Sequence, residues 1–212
     1  MALIAGIGWA FLGSSLLVVR SVQVSGSRQV PRAAVLAAAG IRLGTPLIRI
    51  DTGAIARRVE RVTLVQSARV VRSWPDAVVI WVTGRTAVLA AAARGGYDLV
   101  DRYGVILRWH QQRPPGLPVL RAAWPAAGLR GSPTVYAAGT VVAGLPGRLS
   151  RLVTAVRAAG PRAVTLLLSG GRTVLWGDAG RPAAKAAELV ILLRTRARYY
   201  DVSDPGTAVT RQ

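Results

Sequence analysis

The sequence contains no cysteine. That excludes disulfides, thiolate metal sites and cysteine nucleophiles, and it leaves the compartment open, because a domain with a sizeable core does not need disulfides. Histidine is reduced to one residue, His110, so a Ser-His-Asp triad or a histidine metal site would have to be built on it. It lies in the polar stretch Arg108-Trp-His-Gln-Gln-Arg-Pro-Pro, which reads as an exposed loop. Gly6-x-Gly8 is not completed by a third glycine, and no Gly-Lys-Ser/Thr occurs, so no phosphate-binding loop can be argued. Without a converging set of nucleophile, base and metal ligands, no catalytic, cofactor-binding or metal residues are assigned, and the chain is read as a non-enzyme.

Acidic residues are also scarce, 9 against 28 basic ones, for a net charge of +19, and Lys185 is the single lysine among them. An arginine-rich, Ala-, Gly- and Val-rich composition is what a GC-rich genome produces. The arginines run from Arg20 to Arg211 without forming a block, and aromatics make up 6% of the chain. That pattern gives little support to a nucleic-acid site. Attraction to a polyanion or an anionic membrane surface stays physically open, and an exported basic scaffold binding anionic envelope polymers or lipid head groups is the second reading of the whole chain. No small-molecule substrate is indicated.

Long uncharged runs are limited to one, Ala2 to Val19, which ends at Arg20. As a helix it would span roughly 27 Å at about 1.5 Å per residue, close to the hydrocarbon thickness of a bilayer. A signal peptide would carry a basic start and a small-x-small cleavage site, and neither is present. Residues 1–19 are therefore read as a transmembrane anchor, against a buried core helix as the competing reading. No basic residue precedes the run, so charge does not orient it, and a folded domain can cross regardless. A basic cytoplasmic stretch is expected upstream of Met1.

From Arg20 the pattern is that of a compact α+β unit. Val22 and Val24 alternate in a short strand. A helix is expected from Pro31 to Ala39 with Gly40 as its stop. Asp51 caps a second helix in which Ile55, Val59 and Val62 share a face. Two β-rich runs, Ala68 to Trp74 and Ala77 to Thr83, flank Pro75-Asp76 as a hairpin. The order is strand, helix, helix, strand, strand. That order, with Val22-Gln-Val-Ser-Gly, Ala39-Gly-Ile, Gly44-Thr-Pro-Leu-Ile-Arg-Ile-Asp51 and Ala68-Arg-Val-Val-Arg-Ser-Trp-Pro75, resembles the polypeptide-transport-associated (POTRA) domain of the FtsQ/DivIB cell-division family. After the hairpin the family commonly has a Glu-Arg pair and a proline; Gly84-Arg85-Thr86-Ala87 keeps the arginine alone.

The second half extends the resemblance. Strands are expected at Val88 to Ala93 and Tyr97 to Val100, joined across Arg94-Gly95-Gly96. Leu99-Val-Asp-Arg-Tyr-Gly-Val-Ile-Leu107 and Leu117-Pro-Val-Leu120 are similar to family phrases, and Asp101 is read as a turn stabiliser. Residues 114–133 are proline-rich and read as a loop. Leu149, Leu152, Val153 and Val156 fall at i, i+3, i+4 and i+7, which predicts an amphipathic helix ended by Gly160-Pro161. Val164 to Leu168 and Thr173 to Trp176 read as strands. Pro182 opens a helix with Ala186, Leu189, Val190 and Leu193 on its apolar face and Lys185 facing elsewhere. The ending Tyr199-Tyr-Asp-Val-Ser-Asp-Pro is similar to actinobacterial members.

The domains read in this way are an anchor over 1–19, a POTRA-like domain over 20–85, a larger mixed β domain over 86–203 and a tail over 204–212. The resemblance implies a single-pass septal protein, N-terminus cytoplasmic and bulk extracytoplasmic, that assembles with other division proteins. It implies a coiled-coil partner of the FtsB and FtsL type at the last strand, so the partner-binding role is carried onto Tyr199, Tyr200, Asp201, Val202 and Ser203. The physical means would be strand addition to unpaired backbone at a sheet edge.

Overall fold

The computed structural model describes residues 17–121, 128–195, 197–206 and 209–211. The expected anchor lies almost wholly outside them. Among the described residues no helix is long and apolar enough to cross a membrane. Val18 and Val19, placed in the anchor by the sequence reading, instead join the first folded unit. Val18 bridges Pro46, and Val19 is fully buried in that unit's core. The chain divides into two compact units between Arg85 and Thr86.

Unit 1 is strand β1 (Ser21–Gly26), helix α1 (Arg32–Ala39), a 3₁₀ turn (Leu47–Arg49), helix α2 (Thr52–Val59), and strands β2 (Val65–Ser73) and β3 (Ala77–Gly84). The sheet order is β1-β3-β2, with β1 parallel and β2 antiparallel to β3. Its core joins Val35 and Ala39 of α1, Ile55 and Val59 of α2, and Val70, Val78, Ile80 and Val82 of the sheet. Alternation along β3 explains the last three. Val78, Ile80 and Val82 face the helices, while Trp81 stands on the open face, 53% exposed.

Local signals act where expected. Gly40 ends α1 in the left-handed conformation at φ 58°, a position at which a side chain would be strained. Asp51 Oδ1 accepts from the Ala54 backbone N–H at 2.9 Å. That bond, with smaller help from Arg57, holds the Asp51 carboxyl below the usual carboxylate range. The native state thus favours the charged form. The contribution is complete above the ordinary carboxylate range and is lost as pH falls through the lowered value. Replacing Asp51 with Ala is expected to lower the melting temperature at neutral pH, and Ser, which also caps, to restore most of it; a thermal scan of the three proteins checks this. Two arginines act as internal ties. Arg58 donates to the Ala39 carbonyl at 2.6 Å and Arg72 to the Ile50 carbonyl at 2.8 Å.

Unit 2 contains strands β4 (Leu89–Ala93), β5 (Gly96–Val100), β6 (Ile106–His110) and β7 (Val119–Arg121). Helix α3 (Pro133–Gly144) and a single helical turn (Gly147–Ser150) follow. Then come β8 (Val153–Ala158), β9 (Val164–Leu168), β10 (Thr173–Gly177), helix α4 (Pro182–Leu192), β11 (Tyr199–Asp201) and β12 (Val209–Arg211). All nine strands form one sheet in the order β12-β11-β10-β9-β8-β7-β4-β5-β6. Its core gathers Val135, Ala138 and Val142 from α3, Leu166, Val174 and Trp176 from the sheet, and Ala186 and Leu189 from α4. Asp101 is a turn residue: its Oδ1 accepts from the N–H groups of Tyr103 and Val105, each at 2.9 Å.

Several elements differ from the sequence expectation: Arg108 to His110, read as an exposed loop, end strand β6, and Val119 to Arg121, within the stretch read as a proline-rich loop, form β7. The helix predicted over Leu149 to Val156 is a helical turn followed by strand β8, and Gly160-Pro161 sits in the β8–β9 connection. β8 lies inside the sheet between parallel β7 and antiparallel β9. Val153, Ala155, Val156 and Ala158 are all buried. A strand covered on both faces carries apolar residues without alternation, so a helical spacing arises in it by chance. The second helix of this unit is earlier in the chain, in α3. There Ser132 caps with its Oγ 3.4 Å from the Val135 nitrogen, and Pro133 takes the first turn.

Candidate partner-binding edge

β11 is held from the core side by two residues. Tyr200 and Val202 are fully buried. The Tyr200 hydroxyl donates to the Ala197 carbonyl at 2.7 Å, with the Thr195 carbonyl 3.2 Å away. The Val202 N–H donates to the Leu175 carbonyl at 3.0 Å, continuing the parallel pairing of β11 with β10. Asp201 then ends the strand, its Oδ1 accepting from the Ser203 backbone N–H at 3.0 Å and hydroxyl at 2.7 Å. Gly177 makes close passage possible at this corner. Its φ is 77°, and a Cβ there would stand 2.9 Å from Ser203 Cβ.

The five residues assigned to the partner therefore divide. Tyr199, Asp201 and Ser203 are partly exposed, whereas the side chains of Tyr200 and Val202 belong to the core. A second correction concerns the backbone. The sequence reading took Tyr199 to Ser203 as an unpaired edge and 204–212 as a tail. In the structure β12 pairs antiparallel with β11, Tyr199 opposite Arg211, Tyr200 opposite Thr210 and Asp201 opposite Val209. The reversal runs through Asp204-Pro205-Gly206, with Gly206 at φ 101°. It is tied to α4 and the loop before it by the Arg181–Asp204 ion pair at 2.7 Å and by the Gly206 N–H, 3.4 Å from Glu188 Oε1. Among the described residues, the open edge at this side of the sheet is the outer side of β12. At the other side it is β6, where Trp109 is 54% exposed.

Behind the edge lies a buried charge that the sequence reading misplaced. Lys185 is not on the outer face of α4; it is fully buried. Its Nζ donates to the Trp176 carbonyl at 3.0 Å, the Asp178 carbonyl at 3.1 Å and Asp178 Oδ1 at 2.7 Å. All three ammonium protons are thus used. The bond from Lys185, followed by the Gly180 N–H, holds the Asp178 carboxyl below the usual carboxylate range. The chain's one lysine fastens α4 to the end of β10, the strand on which β11 is laid down. An isolated lysine in an arginine-rich sequence was the available signal, since a compact ammonium fits between carbonyls where a planar guanidinium does not.

Among the described residues no group of three or more His, Asp or Glu side chains is placed to hold a metal ion. The geometry at β10, β11 and β12 offers backbone pairing.

A βααββ unit followed by a nine-stranded mixed sheet ending in a short exposed strand defines the class of POTRA-plus-β-domain proteins. Two family models match: the FtsQ-type POTRA domain over residues 17–85, and the C-terminal domain of the cell-division proteins FtsQ/DivIB over residues 89–203. The chain belongs to the FtsQ/DivIB family. It is 38% identical over 206 residues to the cell division protein FtsQ of Mycobacteroides abscessus, covering 97% of this chain and 65% of that protein. It is 36% identical over 214 residues to FtsQ of Streptomyces collinus, covering 96% and 81%, and 34% identical over 203 residues to that of Mycolicibacterium smegmatis, covering 96% and 60%. The chain thus spans just under two thirds of the first of these relatives.

Proposed function

We propose that this chain is a non-enzymatic, single-pass scaffold of the division machinery that recruits an FtsB/FtsL-type coiled-coil partner by strand addition at the C-terminal edge of its large sheet. The observation that carries the reading is the position of β12. It is three residues long and paired on one side, so its outer backbone groups can accept another strand. Tyr199 to Asp201 hold β12 in register, Val202 and Ser203 fix the end of β11, and the buried members, Tyr200 and Val202, act through packing. On this reading the apolar run ahead of Val18 is the anchor, and the sheet lies outside the cytoplasm at the septum.

The absence of cysteine makes a direct test available. A Thr210→Cys chain should form disulfides with alternate positions of a cysteine series along the partner's pairing segment, because side chains on an added strand alternate between faces. Crosslinks at consecutive positions, or none in a complex that otherwise assembles, would contradict strand addition here.

A further inference from the structure

We propose that the end of unit 1 where the apolar segment enters lies on an anionic phospholipid surface. Leu43 and Ile48 would enter the bilayer interface beside Trp74, with Arg20, Arg42 and Arg49 on lipid phosphates. The inference rests on the proposed reading of the apolar run before Val18 as a membrane anchor.

The register places the parts together. Ser21 pairs with Ala77, and Ala77 with Ser73, so the start of β1, the start of β3 and the end of β2 share one end of the sheet. Two further segments are tied to that end. The Val19 N–H donates to the Thr45 carbonyl at 2.9 Å and the Gly44 N–H to the Val19 carbonyl at 2.8 Å, while the Arg20 N–H donates to the Asp76 carbonyl at 2.7 Å. The 42–46 loop and the 74–76 turn therefore meet the chain at the point where the apolar run becomes folded domain.

No linker separates the two. The apolar run ends at Val19, and Val19 is already core. Two or three residues reach at most about 10 Å, and the headgroup layer is itself roughly 5–7 Å thick on each side of the hydrocarbon. A span made by the part of the run before Val18 leaves the adjoining end of unit 1 within the headgroup region. What that end exposes matches such a place. Leu43 is 67% exposed, Ile48 52% and Trp74 52%, and Leu43 continues into a groove lined by Val22, Leu36 and Ile41 with Arg20 at its side. Tryptophan is favoured at membrane interfaces and arginine beside anionic lipid. Arg20, Arg42 and Arg49 are exposed. The acidic residues on the same segments are Asp51, whose carboxylate is occupied at the start of α2, and the half-buried Asp76.

The test uses the full chain in vesicles of phosphatidylcholine alone and of an equal mixture with phosphatidylglycerol. An environment-sensitive label is placed on Leu43→Cys, Ile48→Cys or Gln29→Cys. Gln29 is exposed beyond the far end of β1, roughly 20 Å away along the strand. In the mixed vesicles, brominated lipid should quench the labels at 43 and 48 at least about twofold more than the label at 29, as for side chains seated at the headgroup boundary. Replacing Arg20, Arg42 and Arg49 with Gln should reduce that difference. Alkaline extraction is run in parallel. A chain that resists extraction with all three labels equally wet would overturn the inference and leave the anchor standing. A chain released by alkali would overturn both.

Discussion

Lys185→Met is expected to destabilise the large β domain by about 2–4 kcal/mol, measured by denaturant unfolding, although it keeps the length and apolar stem of the side chain. The cost comes from the acceptors left behind. Lys185 Nζ serves the Trp176 and Asp178 carbonyls and Asp178 Oδ1. The carboxylate is half in solvent and can be rehydrated, whereas the Trp176 carbonyl bond is buried. Arg at this position should do no better, because its planar fork cannot converge on three acceptors from one point. The pH dependence has a definite sign. Asp178 is held below the usual carboxylate range, so the pair's contribution is complete above that range and is lost as pH falls through the lowered value. Part of the acid sensitivity of wild type should therefore disappear in Lys185→Met, which a series of melts from neutral to acidic pH will read.

Tyr200→Ala is expected to cost about 3–5 kcal/mol, the usual range for removing a large buried aromatic. Tyr200→Phe should cost about 1 kcal/mol, through the single hydroxyl bond to the Ala197 carbonyl. Denaturation of the two variants separates packing from hydrogen bonding. The pair also bears on function. If Tyr200 acts only by holding β11, Tyr200→Phe leaves partner affinity unchanged, while Tyr200→Ala weakens it in proportion to the unfolding of this corner. A polar substitution at Tyr200 or Val202 would give the same ambiguous loss. Substitutions at partly exposed Tyr199 and Asp201 are the more informative ones.

Much of unit 1 was legible in the sequence because its signals are local. Asp51 capping α2, Gly40 closing α1 and the Pro75-Asp76 turn each depend on a few neighbouring residues, and alternation in β3 follows from one buried face. Unit 2 was harder for a physical reason. β8 is buried on both faces, so its apolar residues carry no period that distinguishes it from a helix, and α3 is built from small residues with no polar stripe to mark its outer side. The candidate site was assigned through resemblance alone, at Tyr199-Tyr-Asp-Val-Ser. Its edge was misplaced because three residues of β12 after a turn do not stand out from a tail. Lys185 was misplaced because a helical wheel assigns charge outward. Burial of an ammonium depends on carbonyls supplied by Trp176 and Asp178, several residues upstream in sequence.

The arginine excess also looks different in the fold. Arg58 and Arg72 act as internal ties, and Arg181 steadies the turn before β12. Composition alone cannot separate such roles from a binding surface, whereas carbonyl partners can.

The most direct test of strand addition at the C-terminal edge is the affinity of the FtsB/FtsL-type coiled-coil partner for the full chain and for a chain ending at Gly206, both shown to be folded. Addition on the outer side of β12 requires that removing β12 weaken binding by at least about tenfold, that is, by about 1.4 kcal/mol or more. Unchanged or tighter binding by the shortened chain would contradict it, and would place the partner directly on Tyr199 to Ser203 with β12 as its competitor.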